Sequence, residues 1–510
     1  MAERLTPIPF VGNPESRNLG TEDQRYVNVL FERVPTDILK QHSVYCVKRP
    51  GTSNEIAPVT TSTGRGIHSW ALTGSTYSVF GNAIFSNTST LTDSMNTSSG
   101  RCWFVEIPPS TGAAQLVICD GQDNYNITST GVITQIDQAD DADYPVSTLG
   151  PMAYLDGYLF QGASNGRIYN SRINSVSSWT AGDYITADTH AGALEAIYPQ
   201  KDQIMGLTRN RIEFFFNNGN PTGSPLLRID QNTINLGLAS RESLAWAGEV
   251  ACFVGENAGD GDVGRAVYLV QSLSKLKDIS SPVINRFLTA EGPSISSCTA
   301  WMERVNGQLV YCLNLQSANR SFVYGIETGL WSEWQNSSTN RFNCVSATSR
   351  NGALYLQDVS TGRIYTFNAS TFRDSGSDFR VSLQTPRQEF GSPLRKQELG
   401  LSIIGDSTLS TVGVYANDDD STTTYTQVGE IDMTSPQKRT TRLGGFYSRA
   451  HQFRYEANSS FRVQAWQPEI KKYGILHYRF PGKKPATIQL WVEPGPKHQL
   501  YRFHSGFDYG

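Results

Sequence analysis

The sequence predicts an all-β chain: a β-propeller preceded by an N-terminal extended arm and followed by a C-terminal β-sandwich-like domain. Three observations carry this. Short apolar runs recur along most of the chain, each closed by a polar turn. Glycine, at 45 residues, joins many Ser, Thr and Asn to supply the turns. A strand–turn–strand unit also occurs twice in nearly the same letters, as Asn165-Gly-Arg-Ile-Tyr-Asn-Ser171 and Thr361-Gly-Arg-Ile-Tyr-Thr-Phe367. Recurrence of such a unit points to a repeat architecture. The two copies read as corresponding strands of two different blades, marking architecture and not a site.

At 510 residues the chain exceeds the size at which one core stops growing, so several structural units are expected. Hydrophobic residues at 38% and aromatics at 11% can fill several packed layers. The net charge of −4 gives no global positive field for capturing nucleic acid.

Residues 1–65 read as an extended arm. Ile8-Pro9-Phe10 and Asn13-Pro14 favour extended backbone and turns, and Gln24 to Glu32 alternates like a strand. The arm either crosses other elements or a neighbouring subunit, or it closes the sheet of the next domain. From 66 to 373 apolar runs alternate with turns, and no amphipathic helix is expected. Units of roughly 40 to 50 residues match the period of propeller blades. Starts near 66, 113, 150, 193, 241, 298 and 342 give seven blades if the first two are separate and six if they merge; six is favoured. Residues 374–476 alternate over longer runs, such as Leu399-Gly-Leu-Ser-Ile-Ile404 and Phe461-Arg-Val-Gln-Ala-Trp466, and read as the sandwich. Residues 477–510 are rich in Pro, Gly and aromatics. Such a tail is expected to dock, which makes Trp491, Tyr501, Phe503, Phe507 and Tyr509 the candidate partner contacts.

Chemistry is poorly represented. The seven cysteines stand singly and read as small buried hydrophobes of a reducing compartment, not as zinc ligands or a disulfide framework. Asp137, Asp140, Asp141 and Asp143 lack calcium-loop spacing, and Asp260 with Asp262 lacks the rest of a ligand set. The run Asp418 to Asp420 reads as a solvated loop. Histidines such as His42, His68, His190 and His451 are scattered, and no GxSxG, HExxH, Walker or GxGxxG signature occurs. No enzyme, metal or cofactor is expected. Trp179, Trp331 and Trp334 read as plugs between sheets, with a stacking platform for sugars or bases as the alternative. Basic residues gather late in the chain, from Arg387 to Lys484, and read as a solvated face. No run of about 18 apolar residues appears, nor an apolar N-terminal region, so neither a membrane span nor a signal peptide is expected.

Several strings taken in order resemble the tail nozzle, or packaged-DNA stabilisation, proteins of short-tailed bacteriophages. They are Arg25-Tyr-Val-Asn-Val-Leu-Phe-Glu32, Lys48-Arg-Pro-Gly51, Met152 to Phe160, Arg167 to Ser171 with Trp179, Ile204 to Phe214 with Asn217 to Asn220, and Phe322 to Trp331. The resemblance covers most of residues 10–373. It implies a virion protein made in the host cytoplasm and forming a homo-oligomeric ring, typically a hexamer, in the tail. Such a ring extends the channel for genomic double-stranded DNA, retains the packaged genome and conducts it at infection. Its implied partners are a tail adaptor and needle, plug, fibre or spike proteins. The rival reading is a carbohydrate-binding or glycan-cleaving propeller using Trp179, Trp331 or Trp334.

Overall fold

A computed structural model describes residues 3–11, 24–33, 44–56, 60–92, 94–108, 114–187, 193–257, 264–272, 275–419 and 421–473. Seven antiparallel sheets follow one another from residue 64 to 368. Blade 1 spans the strands Gly64–Trp70 to Ser89–Thr92, blade 2 Trp103–Ile107 to Ile133–Ile136, and blade 3 Thr148–Leu155 to Tyr184–Thr186. Blade 4 spans Leu194–Gln200 to Leu226–Arg228, blade 5 Gly237–Leu238 to Lys275–Asp278, and blade 6 Thr299–Val305 to Leu330–Trp334. Blade 7 has only three strands of its own, Cys344–Arg350, Ala353–Asp358 and Ile364–Asn368; the fourth is Gly51–Ile56 from the N-terminal segment, antiparallel to the third.

Each pair of adjacent blades encloses an apolar cluster. Leu116 and Ile118 pack between blades 1 and 2, Trp179 and Tyr144 between 2 and 3, and Phe160 and Ile197 between 3 and 4. The series continues through blades 4–7. It closes where Ile364 and Ile56 of blade 7 meet Ile67 and Phe80 of blade 1. Ser69 N donating to Thr348 Oγ1 at 2.9 Å and Gln357 Nε2 donating to the Val79 carbonyl at 2.8 Å fasten the same seam.

The blade count is therefore seven, with the first two units separate and not merged into six. The second unit opens with Trp103–Ile107, an apolar strand whose middle residues are partly exposed. One α-helix, Pro282–Glu291, also stands where none is expected. Its local signals are ordinary: Ser281 Oγ caps the Ile284 amide, Pro282 opens the first turn, and Gly292 with φ of 53° ends it. Third strands of blades 3 and 7 carry the repeated Gly-Arg-Ile-Tyr unit at or just before their start. Gly362 must be glycine, with φ of 66° and a Cβ that would lie 2.0 Å from the Thr60 carbonyl.

Apart from Arg373–Asp374 and Ser377–Asp378, which add to the sheet of blade 7, the remaining strands make a two-sheet sandwich. One sheet joins Val29–Arg33 and Val44–Lys48 to Arg462–Lys472, Lys396–Gly405 and Arg439–Phe446, with Glu3–Arg4 and Ile8–Pro9 on the Arg462–Lys472 strand. The facing sheet runs through Arg25–Val27, Val381–Gln384, Ala450–Tyr455, Thr411–Asn417 and Thr426–Asp432. Phe31, Leu401, Val414, Phe453 and Trp466 fill the space between them. Because Val27 pairs in parallel with Glu333 and in antiparallel with Ser382, this second sheet is continuous with blade 6. The N-terminal strands thus belong to both bodies.

Candidate functional site

Among the described residues, those that sequence reasoning raised for chemistry do not converge. Trp179 is buried and packs edge-on to Tyr144 at 5.5 Å, and its amide donates to Asp141 Oδ2. Trp334 is fully buried with Nε1 donating to the Val29 carbonyl, while Trp331 donates to the Ile279 carbonyl at 2.6 Å and lies 4.9 Å from Tyr324. Trp179 and Trp334 are plugs between layers, and Trp331 is half-buried against the cluster of blades 5 and 6.

Asp137 Oδ1 accepts from the amides of Ala139 and Asp140, and Asp141 Oδ1 accepts from Asp143, so the acidic run is a series of local turns. Asp418 is tied to Arg449 at 2.6 and 2.7 Å. His68 pairs with Glu106 and His451 with Glu398, far apart in the fold. Among the described residues no group of His, Cys, Asp and Glu could hold a metal ion. All seven cysteines are buried and free, and burial pushes their thiols up, Cys119 to about 11 and Cys298 to about 12. Asp260, Asp262, Asp420, His42, His190, Trp491, Tyr501, Phe503, Phe507 and Tyr509 lie outside the described residues.

Two arrangements that local sequence does not announce are built instead. The first closes the propeller axis. Arg101, on the connection into blade 2, donates to the carbonyls of Glu242 and Leu244 in blade 5 at 3.1 and 3.5 Å. Its guanidinium sits 4.1 Å over Trp103, and the Trp103 ring stacks on Trp246 of blade 5 at 5.8 Å and 5°. Blades 2 and 5 are not neighbours, so these side chains meet across the axis. A Cβ on Gly150 would lie 1.8 Å from Trp103, so glycine makes room for the indole. Burial lowers the Arg101 guanidinium and raises the Glu242 carboxyl, each partly offset by the other.

The second arrangement is a clasp at the seam of propeller, sandwich and N-terminal strands. Arg49 is fully buried. It forks onto Asp374 at 2.9 and 2.5 Å, donates to Asn28 Oδ1 at 3.0 Å and to the Pro50 and Gln335 carbonyls, and lies 3.9 Å over Phe379. Asn28, at φ of 58°, also accepts from the Gln335 amide and donates to the Arg380 carbonyl. Arg25 forks onto Glu333 with both contacts at 2.7 Å, and Arg320 joins the same carboxylate. Lys48 donates to the Ala457 carbonyl beside Phe379; burial, with Arg49 next to it, brings its ammonium down to about 8. The segments Arg25 to Glu32 and Lys48 to Gly51 are therefore the material of this clasp.

A profile of the phage stabilisation family described as "Bacteriophage P22 Gp10, beta-propeller" matches residues 7–372. The chain belongs to this family. The match takes in all seven blades, the axial closure and Arg49, and ends before Asp374 and Phe379 of the clasp. It thereby places the protein among phage virion proteins that stabilise packaged DNA.

Among solved structures, a streptogramin B lyase is 11% identical, with 64% of this chain and 97% of that chain covered and a TM-score of 0.38. The computationally designed Ika8 protein is 10% identical, with 62% and 99% covered and a TM-score of 0.37. The N-terminal domain of Nup159 is 9% identical, with 68% and 100% covered and a TM-score of 0.36. No curated protein matches the chain.

Proposed function

We propose that this chain is a non-enzymatic wall component of a short phage tail. Copies of it form a ring, six in number, that extends the DNA channel, retains the packaged genome and conducts it at infection. The observation that carries this reading is the family match over residues 7–372. The filled propeller axis supports it: with Arg101, Trp103 and Trp246 meeting there, a duplex has no path through the single chain, so a channel has to lie between copies. The mild negative charge supports it too. A wall dense in Lys and Arg would hold the exiting DNA by counterion release and slow it.

In this reading the tail adaptor binds one rim of the ring and a needle, plug, fibre or spike the other. Electron cryo-microscopy of purified virions tests it. The expected result is six copies encircling the channel at the tail vertex, and particles made without the chain should leak their genomes. Finding the chain off the channel axis, or DNA-tight particles without it, overturns the reading.

A further inference from the structure

A cavity of about 430 Å³ lies between the hairpins of blades 6 and 7, but the Arg304 that lines it already pairs with Glu327. The buried Glu398–His451–Arg449 group is closed inside the sandwich. A second cavity, of about 300 Å³, has a different character. It lies where blade 2 passes into blade 3 and is lined by Asn96, Gln122, Asp123, Asp137, Tyr144 and Val146, among others.

Its chemistry asks for a cation. Asp123 is only 6% exposed, yet its sole side-chain partners are amides: Asn96 Nδ2 at 2.5 Å and Gln135 Nε2 at 3.3 Å, both on Oδ2. Oδ1 accepts no hydrogen bond from the described residues. Gln135 Nε2 also donates to Asp137 Oδ2 at 3.0 Å, so one neutral amide spans two carboxylates. Burial, together with Asp120 and Asp137, raises the Asp123 carboxyl despite these donors. Tyr144, 2% exposed and lining the same cavity, has a hydroxyl with no hydrogen-bond partner among the described residues. No described lysine or arginine pairs with Asp123, Asp137, Asp140, Asp141 or Asp143. Exposed Val146, at 54%, gives an apolar lip on which an aliphatic stem can lie.

The described cation at this edge is already engaged: Arg65 donates to the Gly81, Thr97 and Gly100 carbonyls and to Thr97 Oγ1. Residues 49–200 contain no lysine, and blades 2 and 3, residues 103–187, carry two arginines against nine acidic residues. In contrast, residues 474–510 carry five Lys and Arg against two Asp and Glu. They follow Tyr473, which is fixed at the Arg395 carbonyl in the sandwich, and the sandwich is built onto blades 6 and 7 on the other side of the ring of blades.

We propose that this acidic cavity receives a lysine side chain from residues 474–510 of a second copy of the chain. The acidic edge of one propeller is thereby fastened to the basic tail of its neighbour, head to tail as a closed ring requires. The inference rests on the ring reading given above.

The test is zero-length carbodiimide coupling of carboxylates to amines in the full-length protein. Unlabelled and 15N-labelled chains are mixed during assembly, and native mass spectrometry is run on the same sample. Expected are mixed-isotope links from Lys483, Lys484 or Lys497 to Asp137, Asp140 or Asp143. The Asp123→Asn, Asp137→Asn double variant should lower the links to Asp140 and Asp143 about tenfold, while its circular dichroism and oligomer size stay those of the wild type. An oligomer without these links, or with links only inside one chain, overturns the proposal and leaves the ring standing. A protein that stays monomeric and unlinked overturns both. Links undiminished in the double variant assign the contact to the exposed turn and overturn the role of the cavity.

Discussion

The seams between blades and the seam between propeller and sandwich are held by opposite chemistry. Between blades 1 and 2 the contact is Leu116, Ile118, Val79 and Trp70, with Tyr77 and Tyr125 as the polar-tipped members of the cluster. Where blades 6 and 7 meet the N-terminal strands and the sandwich, the centre is Arg49 on Asp374, with Arg25 on Glu333 beside it. An apolar seam loses stability roughly in proportion to the volume removed. A seam around a buried charge fails abruptly when one partner goes, because the other is left desolvated and unpaired. The first chemistry suits repeated units that only need to stack. The second fixes one relative placement of three segments, since a forked guanidinium accepts a narrow set of geometries.

The sharpest way to break this contrast is Arg49→Ala. It should cost about 3–5 kcal/mol and shift the unfolding of propeller and sandwich together, measured by urea denaturation with intrinsic fluorescence. Arg49→Lys should rescue little, because lysine cannot fork onto Asp374 while also reaching Asn28. If Arg49→Ala leaves the sandwich transition unmoved, the clasp does not couple the two bodies.

Leu116→Ala should cost about 2–4 kcal/mol and lower the propeller transition alone, since Leu116 is fully buried between blades 1 and 2 and touches no sandwich strand. An equal shift of both transitions would show that the bodies unfold as one.

Smaller effects come from protons. The Lys48 ammonium titrates at about 8 in the folded chain against an ordinary 10.5, so the folded state binds fewer protons between these values. Its contribution therefore rises with pH from about 8 to 10.5, and Lys48→Met should flatten that rise in the urea midpoint. Glu398 behaves in the other direction. Burial pushes its carboxyl up, but His451 and Arg449 more than offset this and hold it below the ordinary 4.5. The stability it gives is complete above that value and is lost as pH falls through the folded one. Glu398→Gln should remove this acid-side loss from the sandwich transition.

The smallest expected signal is at the cysteines. A disulfide reagent at pH 8 should label none of the described thiols in the native protein and all seven in denaturant, because burial keeps them protonated. Labelling of Cys46 in the native state would show that the seam around the N-terminal strands opens.

The contrast also explains what could be read in advance. Inter-blade contacts come from apolar strands such as Gln203–Thr208 and Gln308–Leu315, whose pattern is local, so the propeller and most of its rhythm are visible in the letters. Trp103-Phe-Val-Glu-Ile107 is apolar too, and it is at this strand that six and seven blades diverge. The acidic run at Asp137 to Asp143 was readable as turns, but the convergence of Asp123, Asp137 and Tyr144 on one cavity was not.

By itself the sequence determined the fold class, the propeller period, the burial of Trp179 and Trp334, and, through short ordered strings, the family. These depend on neighbours within a few residues or on hydrophobic periodicity. Only the tertiary structure decided that Gly51–Ile56 completes blade 7, that Arg101 and Trp103 reach blade 5 to close the axis, and that Arg49 meets Asp374 across 325 residues. Such pairs have no spacing to betray them. A single buried cation or a single indole finds its partner only after the strands between them have set register and direction, and a slip of one residue would send it to the other face.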